Sequence, residues 1–326
     1  MRAVLCKAFG PPESLVLEEV DDPVPGDGQV VIDIHACAVN FPDVLIIQDM
    51  YQFKPPLPFS PGAEVAGVVS SVGPGVTDLK VGDRVLSNPG WGGLAEKVAV
   101  NAGQAMPISD DIDFEHASAF MYAYGTSHYA LKDRGHLQPG ESLVVLGAAG
   151  GVGLAAVELG AQMGANVIAA ASTEDKLELC REYGAAMTIN YATEDLKTRI
   201  RELTGGAGAD VVYDAVGGQY SEPALRAMAW EGRFLVIGFA AGGIPKIPLN
   251  LALLKSCDIV GVFWGAFVAR DRARNRENID ELMQWWRDGK LRPHVSSLYP
   301  LDKSADAIRE LADRRAKGKV VVQVRS

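Results

Sequence analysis

Leu143-Val144-Val145-Leu146-Gly147-Ala148-Ala149-Gly150-Gly151-Val152-Gly153 decides how this chain is read. A short apolar run stops at a glycine-rich turn, and a helical pattern follows at once. That helix puts Val152, Ala156 and Leu159 on one side and ends at Gly164, a C′ residue. A strand that delivers the chain to a helix N-terminus exposes backbone N–H groups that no preceding carbonyl uses, and such groups hold phosphate. Gly150 and Gly153 then serve close approach to a pyrophosphate and close helix–strand packing, with Gly151 and Val152 opening the helix. Ala148 stands where the first glycine of G-x-G-x-x-G is usual. A ligand-free glycine turn is the competing reading. The order strand, turn, helix, second strand favours the dinucleotide.

Outward from this turn, apolar runs at 142–146, 166–171, 186–190, 210–213, 233–237 and 258–263 alternate mostly with helical patterns. Leu177, Cys180 and Tyr183 lie three apart and Gly184 follows, so the next helix closes as the first does. Strand–helix alternation of this kind builds a doubly wound parallel sheet. Upstream, short strands at 30–34, 64–72, 81–86 and 94–100 are separated by Pro and Gly clusters, which predicts a β-rich, partly barrel-like domain. Helices at 278–287 and 303–314 precede a strand at 319–324 that is expected to return to the N-terminal domain. The expected division is 1–122 for the first part of the β-rich domain, 123–265 for the dinucleotide domain and 266–326 for the return.

The chain has 326 residues, 48% hydrophobic and 22% charged, with 31 Lys and Arg against 41 Asp and Glu. This is the composition of a soluble globular protein of about two domains. The net charge of −10 argues against broad nucleic-acid binding, which rests on basic residues. No run of about 18 apolar residues suggests a membrane span, and the start, Met1-Arg2-Ala3-Val4, reads as a strand rather than a signal peptide. Cys6, Cys37, Cys180 and Cys257 lie far apart without a C-x-x-C pair, as expected of reduced thiols in a cytoplasmic protein.

The tip of the second strand chooses between dinucleotides. An NAD site usually places an acid there for the ribose 2′-hydroxyl. Here the tip holds Ser172, with Lys176 one turn on, a pair that favours a 2′-phosphate and hence NADPH. Glu174 and Asp175 admit another reading. Acids in a first helical turn offset the macrodipole, and Ser172 with Asp175 makes a capping box.

With these residues in view, the chain resembles the quinone oxidoreductase branch of the medium-chain dehydrogenase/reductase superfamily, the zeta-crystallin-like branch, over essentially its whole length. The resemblance is carried by Asn40-Phe41-Pro42-Asp43, by 61–67 (PGAEVAG), by 81–85 (VGDRV), by the turn 147–153 and by 318–321 (GKVV). It implies an α/β protein in which a groES-like β-rich catalytic domain clasps a Rossmann domain, with the active site in the cleft and NADPH as cofactor. It implies that Ser172, Lys176 and Tyr191 surround the 2′-phosphate. Asn40, Thr126, Gly238, Phe239, Phe263, Trp264 and Gly265 are implied along the nicotinamide half; core packing at strand ends is the alternative for the three aromatics. A homodimer through the last Rossmann strand, 258–263, is also implied, since pairing covers an exposed edge.

Zinc-dependent relatives hold their catalytic metal with two Cys and a His. Those positions read Asn40, Ala63 and, approximately, Tyr122 here, and the four-cysteine loop is missing. His35 and Cys37 share a strand face without a third partner, which reads as core. Three protein ligands are the usual minimum for catalytic zinc, so no metal is expected. The acceptor must then be a good hydride sink, a quinone or an activated enone. Tyr51 is the candidate donor or substrate contact; packing on Phe53 and Pro55 is its alternative. The position of a second cleft tyrosine of the bacterial quinone reductases is Leu45 here, which predicts a more apolar pocket. Two further readings stay open. The cluster Arg270, Arg272, Arg274 and Arg276 suits the phosphates of an enoyl-CoA ester, although Asp271 and Glu277 interleave it as on a solvated helix start. A non-catalytic NADPH-binding structural or RNA-binding protein is the third.

Overall fold

The computed structural model describes residues 1–325 and divides into two units, Met1–Tyr122 with the chain from Pro293 onward, and Ala123–Arg292. The first unit opens with a hairpin of β1 (Arg2–Leu5) and β2 (Val16–Glu19). Its main strands are β3 (Gln29–Val39), β4 (Glu64–Val72), β5 (Arg84–Ser87), β6 (Lys97–Asn101) and β7 (Ala105–Pro107). Short helices α1 (Phe41–Ile46) and α2 (Phe114–Ser118) lie among them, and α3 (Met121–His128) starts in this unit and ends in the second. Expected strands 81–86 and 94–100 are shorter than their apolar runs. The first is trimmed by the turn at Gly82, whose φ is 94°.

The second unit holds β8 (Ser142–Leu146), α4 (Gly151–Gln162), β9 (Asn166–Ala171), α5 (Glu174–Glu182), β10 (Met187–Asn190) and α6 (Leu196–Leu203). There follow β11 (Ala209–Asp214), α7 (Ser221–Arg226), β12 (Met228–Val236), α8 (Asn250–Lys255), β13 (Asp258–Gly261), α9 (Trp264–Arg270) and α10 (Arg272–Arg287). All six strands run parallel in the order β10-β9-β8-β11-β12-β13. The strand order turns back between β8 and β11, where a doubly wound sheet opens a crevice at the carboxyl ends of its strands. Among the described residues no helix is long and apolar enough to cross a membrane.

The return to the first unit begins at Pro293, not at residue 266. The reason lies in α10, which starts at Arg272 rather than at Asn278. Asp271 caps it, its carboxylate accepting the Arg274 N–H at 3.1 Å. Its buried residues Ile279, Leu282 and Met283, and the bonds from His128 to Glu281 and from Asn278 to Asp133, keep it in the second unit.

The returning chain adds β14 (Val295–Pro300), α11 (Ser304–Ala312) and β15 (Lys319–Gln323). As expected from the sequence, β15 joins the N-terminal sheet, pairing antiparallel with β3. β3 is long enough to take β6 along its first half and β15 along its last, with β4 on its other edge. Two register shifts against β4 let it bend. Glu64 and Lys319, the first residues of β4 and β15, therefore flank the end of β3. Ala38 is opposite Glu64 and Val39 is opposite Val320. Both charged residues are buried, with Lys319 Nζ 3.1 Å from Glu64 Oε2.

Removing one partner of a buried ion pair strands the other charge, at a cost of about 3–5 kcal/mol. Lys319→Met is expected to lower the unfolding free energy by about that amount, and adding Glu64→Gln is expected to restore part of it. Denaturant unfolding of the single and double variants checks this. A single variant as stable as the wild type would show that the pair does not hold the strand ends together.

Candidate functional site

In the second unit several of the residues expected to bind the dinucleotide follow the carboxyl ends of the parallel strands. Gly147 follows β8 with φ 69°, a left-handed turn that suits glycine. It thus makes the tight turn one residue before Ala148, whose N–H donates to the Ala170 carbonyl at 3.1 Å. The alanine at the usual first glycine position is tolerated for that reason. Gly153 is the close-packing glycine: a Cβ there would lie 2.1 Å from the Gly147 carbonyl oxygen. Gly150 is the N-cap of α4, and the first helical bond runs from the Leu154 N–H to the Gly150 carbonyl at 2.7 Å. The N–H groups of Gly151, Val152 and Gly153 thus lie outside the helix ladder.

Ser172 follows β9 and Lys176 lies one turn into α5; both are half-buried. The expected capping box of Ser172 and Asp175 is not formed, because Thr173, not Ser172, is the N-cap of α5. Glu174 turns along the helix to Arg181, 2.7 Å away. Tyr191 follows β10, its ring 4.4 Å from that of Tyr220. Gly238 and Phe239 follow β12, with Phe239 packed at Gly217. β13 stops at Gly261, so Phe263 falls outside it as the N-cap of α9, 46% exposed, and Trp264 and Gly265 open that helix. Trp264 is buried against Gly125, where a Cβ would meet its ring at 2.6 Å. Thr126 lies between that glycine and Ser127, whose hydroxyl donates to the Val152 carbonyl at 2.8 Å. The edge offers amides, a hydroxyl and an ammonium with no carboxylate at the tip of β9. That set fits a dinucleotide bearing a 2′-phosphate.

The first unit holds the other two predicted residues, Asn40 and Tyr51. Asn40 caps α1 and forms a capping box with Asp43, whose carboxylate accepts the Asn40 N–H at 2.7 Å and the Gly62 N–H at 2.9 Å. Burial pushes Asp43 up to about 6, against the pull of those two N–H groups. The Asn40 amide also bridges: Lys319 Nζ donates to its Oδ1 at 2.5 Å, and its Nδ2 donates to Glu64 Oε2 at 3.2 Å and the Ala38 carbonyl at 3.3 Å. The second oxygen of Glu64 accepts the backbone N–H of Tyr122 at 2.6 Å. Tyr51 packs edge-on to Phe53, as its alternative reading held, at 5.9 Å between ring centroids, and its hydroxyl also lies 3.4 Å from that of Tyr122. Burial raises both phenols above the ordinary tyrosine range, Tyr122 by more. Tyr122 thus sets a second hydroxyl beside that of Tyr51.

Sequence reasoning did not single out Glu64, Lys319 or Tyr122 as site residues. The available signal was one acid and one base at the starts of two otherwise apolar strands. At the three positions where zinc-dependent relatives carry ligands, Asn40 is held by an ammonium, Ala63 carries a methyl and Tyr122 a phenol. His35 stacks on Phe114 at 4.4 Å while Cys37 lies in the hydrophobic core, so the two have different surroundings. In the arginine cluster, Arg274 pairs with Asp133 and Arg276 with Asp280, as on a solvated helix face.

Two family models match the chain, the alcohol dehydrogenase GroES-like domain over residues 26–110 and the zinc-binding dehydrogenase over 151–285. The quinone oxidoreductase-like protein 2 homolog of Nematostella vectensis is 41% identical, covering 99% of this chain and 89% of its own. Quinone oxidoreductase-like protein 2 of Bos taurus is 36% identical over 99% of this chain and 93% of its own. Among solved structures, Escherichia coli quinone oxidoreductase complexed with NADPH superposes with a TM-score of 0.93 at 29% identity, covering 99% of this chain and 100% of that one. The chain belongs to the quinone oxidoreductase branch of the medium-chain dehydrogenase/reductase superfamily.

Proposed function

We propose that this protein reduces a quinone or an activated enone with NADPH and without a metal ion. Two features support the reading, each within its own unit: a phosphate-type edge in the second, and in the first a buried Asn40–Glu64–Lys319 set without Cys or His. When bound, the dinucleotide supplies a hydride from C4 of its nicotinamide. The chain's own groups bind and orient. The N–H groups of Gly151 and Val152 hold the pyrophosphate, and Ser172 and Lys176 hold the 2′-phosphate, with Tyr191 beside them. Thr126, Gly238, Phe239, Phe263, Trp264 and Gly265 line the nicotinamide half.

Asn40 is fixed by Glu64 and Lys319 and orients the reacting groups, while Tyr51 contacts the acceptor. With no Lewis acid, rate depends on proximity and on the acceptor's own capacity to take charge. That favours quinones and conjugated carbonyls over simple ketones. The two paired arginines weaken the case for an enoyl-CoA substrate, and the net charge of −10 weakens the case for an RNA-binding role.

We also propose a homodimer through β13. This strand is the edge of its sheet, Ile259 on it is 42% exposed, and Leu253 and Leu254 of the preceding helix are 80% and 66% exposed. An apolar sheet edge left open invites pairing, and a second copy satisfies it.

Three measurements test these readings. Lys176→Ala is expected to weaken NADPH binding by about tenfold, or ~1.4 kcal/mol, and to leave NADH nearly unchanged; equal losses would remove Lys176 from the 2′-phosphate site. NADPH oxidation with a panel of quinones, enones and enoyl-CoA esters is expected to show turnover with the first two in protein free of zinc. Turnover confined to thioesters, or stoichiometric zinc in the purified protein, would overturn the proposal. Light scattering is expected to give twice the chain mass, and Ile259→Arg to halve it; a wild-type monomer would refute the dimer.

A further inference from the structure

We propose that Tyr122 and Tyr51 act as a pair whose two hydroxyls bind the acceptor's carbonyl oxygen as negative charge gathers on it. This rests on the hydride-transfer reading above and names the groups that receive the charge. The two phenol oxygens are 3.4 Å apart. That is long for an O–H···O bond, which prefers about 2.7–2.8 Å. One oxygen set about 2.8 Å from both replaces a single long contact by two short ones, since each hydroxyl has one proton to donate.

Both tyrosines are anchored before any acceptor arrives, Tyr51 by its ring and Tyr122 by its backbone. Tyr51 packs against the core of the first unit and edge-on to Phe53. Tyr122 is pinned through its backbone N–H by Glu64, the carboxylate that Asn40 and Lys319 also hold. Fixed donors in a partly buried site stabilise a developing oxyanion without reorganising at the moment of reaction. A phenol is ordinarily protonated at neutral pH, and burial pushes both of these further that way, so both are donors. The acid groups nearest them on neighbouring elements, Asp43 and Glu64, point the same way, because their charge disfavours a phenolate.

With a conjugated enone, the acceptor's β-carbon gains a C–H bond from the hydrogen and electron pair of the nicotinamide C4–H bond. The C=C pair shifts toward the carbonyl carbon and the carbonyl π pair moves to oxygen, giving an enolate held by Tyr51 and Tyr122. The enolate's C=C pair then takes a proton from water at the α-carbon, an oxygen pair reforms the C=O bond, and the hydroxide left is released to solvent. The acceptor is reduced by two electrons and the cofactor oxidised by two, so neither tyrosine loses its proton in the net reaction.

The test compares wild type, Tyr122→Phe, Tyr51→Phe and the double variant, with 2-cyclohexenone and 1,4-naphthoquinone as acceptors and NADPH affinity read separately by fluorescence. Each single variant is expected to lose at least about tenfold in kcat/KM for the acceptor, a modest share of what a single oxyanion donor supplies, with the Kd for NADPH unchanged within about twofold. The double variant is expected to lose less than the product of the single losses, because the hydroxyls serve one oxygen. Wild-type kcat/KM in Tyr122→Phe would overturn the pair and leave the hydride-transfer reading intact. A loss matched by an equal loss of NADPH affinity would also overturn it. No turnover by the wild type with any acceptor would overturn both readings.

Discussion

A buried carboxylate organises the first unit. Glu64 is 1% exposed, and a carboxylate so far from water is stable only if its charge and lone pairs are met. Lys319 supplies the opposite charge, the Asn40 amide and the Tyr122 backbone supply donors, and the three come from widely separated parts of the chain. Satisfying one side chain therefore fixes the ends of β3, β4 and β15 and the start of α3 together. Asp43 closes the other half of the cap of α1, its carboxylate accepting the Asn40 N–H.

Much of this fold was legible in the sequence, for identifiable physical reasons. Parallel strands buried on both faces read as unbroken apolar runs, so the bounds of β8 and β9 coincide with their runs at 142–146 and 166–171. Gly164 and Gly184 marked the ends of α4 and α5 because a left-handed C′ residue favours glycine; their φ angles are 82° and 101°. The start of α10 was misread because its first turn is a run of arginines with no apolar periodicity. Only the cap at Asp271 announces it.

The site divided along the same line. Ser172 could be located from the strand pattern, as the residue that follows β9; Tyr191 and Gly238 were reached only through the resemblance, and they lie just past β10 and β12. Asn40 was visible through its motif. Its partners were not, because Glu64, Lys319 and Tyr122 meet it only through antiparallel pairing and the bend of β3, and long-range register leaves no periodic mark on a single sequence. The pairing of Tyr122 with Tyr51 was hidden in the same way.

The double use of β3 bears on the order in which the molecule is made. Its first half is covered by β6, close behind it in the chain, but its second half waits for β15. Every strand of the parallel sheet has left the ribosome before β15 does, so the second unit has its full complement of strands while the first is still open. Until then Glu64 lacks its counter-ion, and the last part of β3 remains an unpaired edge, the kind of surface that other chains adhere to. Stop codons or truncations that spare the whole dinucleotide sheet yet remove β15 thus leave a folded half attached to an adhesive one.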